Sequence, residues 1–132
     1  MTELSLALSS CMTNVVQVEK YAEKLRSQYQ ISMDKYPDIL ISLTEAVNNA
    51  IIHGNAQDLQ KQVIIQSQKT SRGIVIKVSD EGSGFNPNSI PDPTCDENIC
   101  ECGGRGVFLM KELCDKISFD DNGSTVKLFF AI

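Results

Sequence analysis

Three short stretches hold most of the chemistry. Glu45-Ala-Val-Asn-Asn49 sets a carboxylate and a carboxamide four residues apart. On a helix, at about 100° per residue, Glu45, Asn49 and His53 share one edge, each roughly 40° round from the last. The Asn49 carbonyl oxygen is a hard, uncharged ligand of the kind Mg2+ accepts. Glu45, one turn away, could orient and deprotonate a hydroxyl or a water. A solvated helix edge would also account for these polar groups. Ile41 and Ile52 flank them, however, which suits an edge that lines a cleft.

The second stretch is Asp80-Glu-Gly-Ser-Gly84. Asp80 closes an alternating apolar run, where its carboxylate can accept a hydrogen bond from the exocyclic amine of adenine. Gly82 and Gly84 would let backbone approach the base closely. A strand-terminal turn is the plainer alternative. A dinucleotide fingerprint fails, because no third glycine and no helix follow. The third stretch, Gly103-Gly-Arg-Gly106, precedes a helix expected over Val107 to Asp115. Backbone N–H groups at such a helix start can hold an anion, and Arg105 adds a fixed positive charge. A hinge is the alternative there. No Gly-x4-Gly-Lys-Ser/Thr loop occurs, which excludes a P-loop. In this order, the three stretches read as an ATP site.

The elements that must position them follow from periodicity. Leu4, Leu6 and Leu8 alternate with Ser5, Ala7 and Ser9, a half-buried strand. Asn14 is placed to cap a helix running to about Gln30, with Val15, Val18, Ala22, Leu25 and Tyr29 as its apolar positions. A strong helix runs from Pro37 to about Ile52, with a stripe of Ile39, Leu43, Ala46, Val47 and Ala50 and with Gly54 to end it. Gln62 to Gln68 and Ile74 to Val78 read as an antiparallel pair. From Glu81 to about Gly106 the chain is rich in Pro, Gly, Asn and Cys, longer than an ordinary loop and suited to a lid. Ile117 and Phe119, a turn at Asp121-Asn-Gly123 and a strand over Thr125 to Ile132 close the chain. The order β-α-α-β-β-lid-α-β-β implies a mostly antiparallel sheet with helices on one face.

Bulk properties narrow the class. The chain has 132 residues, 42% hydrophobic and 22% charged, with a net charge of -5. One domain is the natural expectation. The acidic balance argues against binding nucleic acid or anionic membranes and suits a protein that meets proteins. No apolar run approaches the roughly 20 residues of a membrane span. Nor does the N-terminus read as a signal peptide, so a reducing cytoplasmic setting is expected. Cys95, Cys100 and Cys102 cluster, but they lack the paired spacing of a zinc site, and the one histidine, His53, is distant in sequence.

Together the stretches resemble the GHKL ATPases, the family of gyrase and the histidine kinases. Glu45-Ala-Val-Asn-Asn49 is similar to its N box. Asp80-Glu-Gly-Ser-Gly-Phe85 is similar to its adenine-binding G1 box, and Gly103-Gly-Arg-Gly106 to the G2 box that closes an ATP lid. Ser124-Thr125 stands where the family often carries a nucleotide-facing hydroxyl on a late strand. Within the family, the wording of 45–54 and 106–115 most resembles the small anti-sigma-factor serine/threonine kinases.

That resemblance implies the Bergerat fold: an α+β two-layer sandwich, with a mixed, mostly antiparallel sheet covered on one face by helices. It implies one domain over 1–132, with an ATP lid at about 85–106. Glu45 would be the general base and Asn49 the Mg2+ ligand. Asp80, Gly82 and Gly84 would bind adenine, and Gly104, Arg105 and Gly106 the phosphates. His53 and Thr125 would stand near the nucleotide. ATP and Mg2+ are the implied cofactors. The implied partners are an anti-anti-sigma (STAS-domain) protein as phosphorylation substrate and a sigma factor held by a homodimer. The alternative is a nucleotide-dependent protein-binding regulator without significant kinase activity. The catalytic half of a histidine kinase fits less well, since the chain shows no dimerisation helices and no phospho-acceptor region. The lid cysteines depart from the family pattern, and Arg105 stands where many relatives have leucine.

Overall fold

A computed structural model describes residues 3–11, 14–55, 58–81, 102–120 and 124–131, leaving out the side chains at 3, 15, 53, 54 and 102–107. The elements run β1 (Glu3–Ser9), α1 (Val15–Tyr29), α2 (Tyr36–Asn49), a π turn (Ala50–Gly54), β2 (Gln62–Lys69), β3 (Gly73–Ser79), α3 (Cys102–Leu113), β4 (Lys116–Asp120) and β5 (Thr125–Ala131). Among the described residues no helix is long and apolar enough to cross a membrane.

Alternation in the strands builds the sheet, in the order β1-β2-β3-β5-β4. All four described ladders are antiparallel, so the mixed component of the expected sheet is not seen among them. One set of alternate residues faces the helices: Val63 and Ile65, Ile74, Ile76 and Val78, then Val126, Leu128 and Phe130 are all buried. The helices answer with Val18, Ala22, Leu25 and Tyr29 from α1 and with Ile39, Leu43, Ala46, Val47 and Ala50 from α2. Met110 of α3 joins the same cluster, flanked by the partly buried Cys114. Burial of large apolar side chains, at about 1.5–3 kcal/mol each, is the main force holding the two layers together.

Polar contacts set the register of the layers. The Tyr21 hydroxyl bridges Leu4 O and Ser67 Oγ, both at 2.8 Å, which ties α1 to β1 and β2. The Tyr36 hydroxyl donates to Glu23 Oε1 at 2.9 Å, joining α2 to α1. Gly73 leaves no room for a side chain, since a Cβ there would lie 2.1 Å from Phe130 O.

Three local expectations need correction. Asn14 stands at the N-cap of α1, but its side chain makes no cap hydrogen bond. Its Nδ2 donates instead to Ser9 O and Ser9 Oγ, fastening the chain back onto β1. The helix of Pro37 does not stay α-helical to Ile52: it widens into the π turn directly after Asn49. α3 begins at Cys102 rather than Val107. Three glycines cost roughly 1 kcal/mol each inside a helix, so the sequence suggests a break there. Met110, fully buried on α3, shows the tertiary packing that outweighs this cost. Most of the expected lid, 85–101, lies outside the described residues.

Candidate functional site

α2 lies over the end of β3. Asp80 follows β3 directly, and its backbone N–H donates to Ser124 O at 2.9 Å, just before β5 begins. The two central strands therefore end side by side beneath the last turn of α2. Between these strands and α3 lies a small pocket, a cavity of about 20 Å³ open in part to solvent. Ala46, Ala50, Val78, Met110, Phe119 and Val126 make its apolar lining, and Asn49, Asp80 and Ser124 are the polar groups in it. An apolar slot with a few converging polar groups is the usual form of a small-molecule site. Alanines at 46 and 50 keep the slot open, since a larger side chain on that face would occupy it.

Asn49 carries the clearest signal of a missing ligand. Its Nδ2 is buried and has no hydrogen-bond partner among the described residues. An unsatisfied buried donor costs about 1–3 kcal/mol, a cost that a polar ligand in the pocket would remove. A half-turn of the amide presents Oδ1 in its place, the atom a magnesium ion would require. The donor set therefore fits a nucleotide with its metal.

The expected residues do not all converge. Asn49 and Asp80 line the pocket together. Glu45 is half-buried on the same edge of α2, one turn nearer the helix start and outside the pocket lining. His53 lies in the π turn, with its side chain outside the description. Gly82 and Gly84 fall outside the described residues. Gly104, Arg105 and Gly106 lie within the first turns of α3. The free N–H groups of a helix are its first four, so here they belong to 102–105 rather than to a helix opening at Val107.

Thr125 does not line this pocket. It pairs with Ser79, and its Oγ1 hydrogen-bonds Ser79 Oγ at 3.2 Å. Its neighbour Val126 faces the pocket, so strand alternation turns Thr125 to the opposite face of the sheet. The hydroxyl residue that lines the pocket is Ser124.

Among the described residues, no three His, Cys, Asp or Glu side chains gather as a metal cage. Cys95 and Cys100 lie outside the description, as does the side chain of Cys102. Cys114 is a partly buried thiol, pushed up to about 11 chiefly by burial, with the Ser42 hydroxyl opposing in part. It lies away from the pocket. One residue that the sequence did not single out is Asn55. It is buried just past the π turn and hydrogen-bonds Ser10, Gln62 and Glu81. An Asn after a helix-ending Gly reads only as a cap, so nothing in the sequence marked it.

Comparison with known proteins places the chain in a family. Residues 8–130 match the family described as histidine kinase-like ATPase domain. The chain is 26% identical over 131 residues to the anti-sigma F factor of Bacillus subtilis, covering 96% of this chain and 90% of that protein. It is 31% identical over 107 residues to the anti-sigma F factor of Bacillus licheniformis, covering 77% and 73% respectively. It is 30% identical over 114 residues to the serine-protein kinase RsbW of Bacillus licheniformis, covering 79% and 69%. Among solved structures it shares its fold with the RsbU and RsbW domains of a Mycobacterium tuberculosis protein, at a TM-score of 0.69 and 16% identity. That match covers 98% of this chain and 32% of the other, so the chain spans about a third of that molecule.

Proposed function

Because this chain belongs to the histidine kinase-like ATPase domain family, in its anti-sigma-factor kinase branch, we propose that it is an anti-sigma regulator that phosphorylates a serine or threonine of a STAS-domain partner with ATP. The observation that carries the reading is the Asn49–Asp80 pocket, an apolar slot with a buried amide nitrogen that has no partner among the described residues. Mg-ATP, when bound, supplies the phosphoryl group and a cation for the charge that develops in transfer. Asp80 accepts the hydrogen bond of the base, with Ser124 beside it and Gly82 and Gly84 as close backbone. Asn49 offers Oδ1 to the metal. Gly104, Arg105 and Gly106 meet the phosphates, and His53 stands near them. Glu45 takes the proton from the acceptor hydroxyl, a role worth about 10²–10⁴ in rate. The sigma factor is held by a homodimer in the cytoplasm, with the segment about 85–106 closing over the nucleotide.

One observation favours a second reading. Glu45 stands outside the pocket lining, which suits a regulator that senses nucleotide and binds partners with little transfer. Incubation with Mg2+, γ-labelled ATP and a STAS-domain protein separates the two. We expect the wild type to label its partner, and Glu45→Ala to lose transfer at least 100-fold while still binding nucleotide. Undiminished transfer by Glu45→Ala would remove that residue from its role. Nucleotide-dependent partner binding without labelling would select the second reading.

A further inference from the structure

Asn55 is a polar side chain at the bottom of the fold, 1% exposed. Its whole amide is engaged. Nδ2 donates to Ser10 Oγ at 2.7 Å and to Gln62 O at 3.0 Å. Oδ1 accepts from Glu81 N–H at 2.7 Å. Ser10 Oγ in turn donates to Lys61 O, and the Glu81 carboxylate accepts from Gln62 N–H. One carboxamide thus joins the residue after β1, the end of the π turn, the start of β2 and the Asp80–Glu81 peptide. A side chain with two donors and an acceptor on a short stem satisfies every partner at this place.

The π turn is what brings it there. Had α2 continued as an α-helix, Asn55 would lie roughly 120° around the axis from Leu43, off the core side. The wider π turn rotates the chain less per residue, and Asn55 N–H bonds back to Ala50 O at 2.8 Å. Its side chain then lies beneath the end of β3, where Asp80 leaves the sheet.

We propose that Asn55 is a positioning residue for the nucleotide pocket, fixing Asp80 through the Glu81 N–H; this rests on the nucleotide reading of that pocket. The peptides on both sides of the Asp80 Cα are anchored. Its own N–H is held by Ser124 O and the next by Asn55 Oδ1. With the second anchor gone, the Glu81 side of that peptide is held only through the Glu81 carboxylate on Gln62 N–H, a looser tether that lets the Asp80 carboxylate shift relative to Asn49. Asn55 follows Asn49 along the same helical segment, so a single amide sets the spacing of the two polar walls.

Four variants test this, with MgADP as the probe and calorimetric affinity read beside melting temperature. Asn55→Ala should weaken MgADP binding about tenfold. Ser10→Ala removes one acceptor of the same amide but leaves the bond to Glu81. It should lower the melting temperature yet keep affinity within twofold. Asp80→Asn should lose most binding, and wild-type affinity in that variant would sink the nucleotide reading itself. If Asp80→Asn loses binding while folded Asn55→Ala keeps it, the positioning role is overturned. It is equally overturned if Ser10→Ala weakens binding as much as Asn55→Ala does. Should Asn55→Ala fail to fold, Asn55→Asp, which retains an oxygen for Glu81 N–H, should stay within threefold of wild-type affinity; a tenfold loss there overturns the proposal.

Discussion

Replacing Asp80 by Asn changes one charged oxygen into an amide and leaves the backbone untouched, including the N–H that donates to Ser124 O. The fold should therefore survive, and the loss should fall on the ligand. A ligand held at 100 times its dissociation constant stabilises the folded state by about 2.7 kcal/mol. For 132 residues, an unfolding entropy of about 2.1 cal/mol/K per residue sums to roughly 0.28 kcal/mol/K. The wild type should then melt about 10 °C higher with Mg-nucleotide. A hydrogen bond to a charged group is worth about 1.5–3 kcal/mol, and the Asn variant can turn a donor toward the donor of adenine. A loss near the top of that range weakens binding about 100-fold. At the same nucleotide concentration, the stabilisation falls to about 0.4 kcal/mol, a shift of roughly 1.5 °C. Differential scanning fluorimetry at fixed MgADP reads both values. A shift in Asp80→Asn that remains above about 7 °C would refute the assignment of Asp80 to the base.

Two further outcomes test the frame around the pocket. Gly73→Ala places a Cβ 2.1 Å from Phe130 O, so the β3–β5 ladder must part. A cost of about 3 kcal/mol, or roughly 10 °C in melting temperature, is expected by thermal denaturation. Wild-type stability would show that the two strands can separate at no cost. The Cys114 thiol is raised to about 11 from its ordinary value of 9.0, chiefly by burial. A folded-state value above the unfolded one means that the unfolded chain ionises first. Its contribution is complete below about pH 9 and lost as pH rises toward 11. The fall in denaturant midpoint between pH 8.5 and 11 should be smaller in Cys114→Ala than in the wild type; equal slopes would show that Cys114 is not the group responsible.

The α2 stripe and the strand alternation were legible in the sequence because both rest on burial, which a periodic pattern reports directly. Asn49 and Asp80 were legible as chemistry, and the fold brings them to one pocket. The π turn was not legible: it adds to the helix a widening that no residue type announces. The place of Asn55 is not legible for the same reason, since α-helical counting puts it on the wrong side. Which of Ser124 and Thr125 lines the pocket is not legible either, since one residue of register in a strand means the other face. The start of α3 is not legible because intrinsic propensity disfavours its three glycines, whereas the packing of α3 on the core depends on residues further along the helix.

The strand order also bears on how the protein folds. β2 with β3 and β4 with β5 are hairpins that can form locally. The ladder that joins them pairs Gly73 with Ala131 and Ser79 with Thr125, contacts far apart in the chain. Such closures are slow, because the entropy of the intervening loop is lost before any contact offsets it. The pocket straddles this seam, with Val78 and Asp80 on one hairpin and Phe119, Ser124 and Val126 on the other. It exists only after the two halves have met. A nucleotide seated across the seam, as proposed, would act as a latch on the finished fold, slowing unfolding while leaving the rate of folding nearly unchanged.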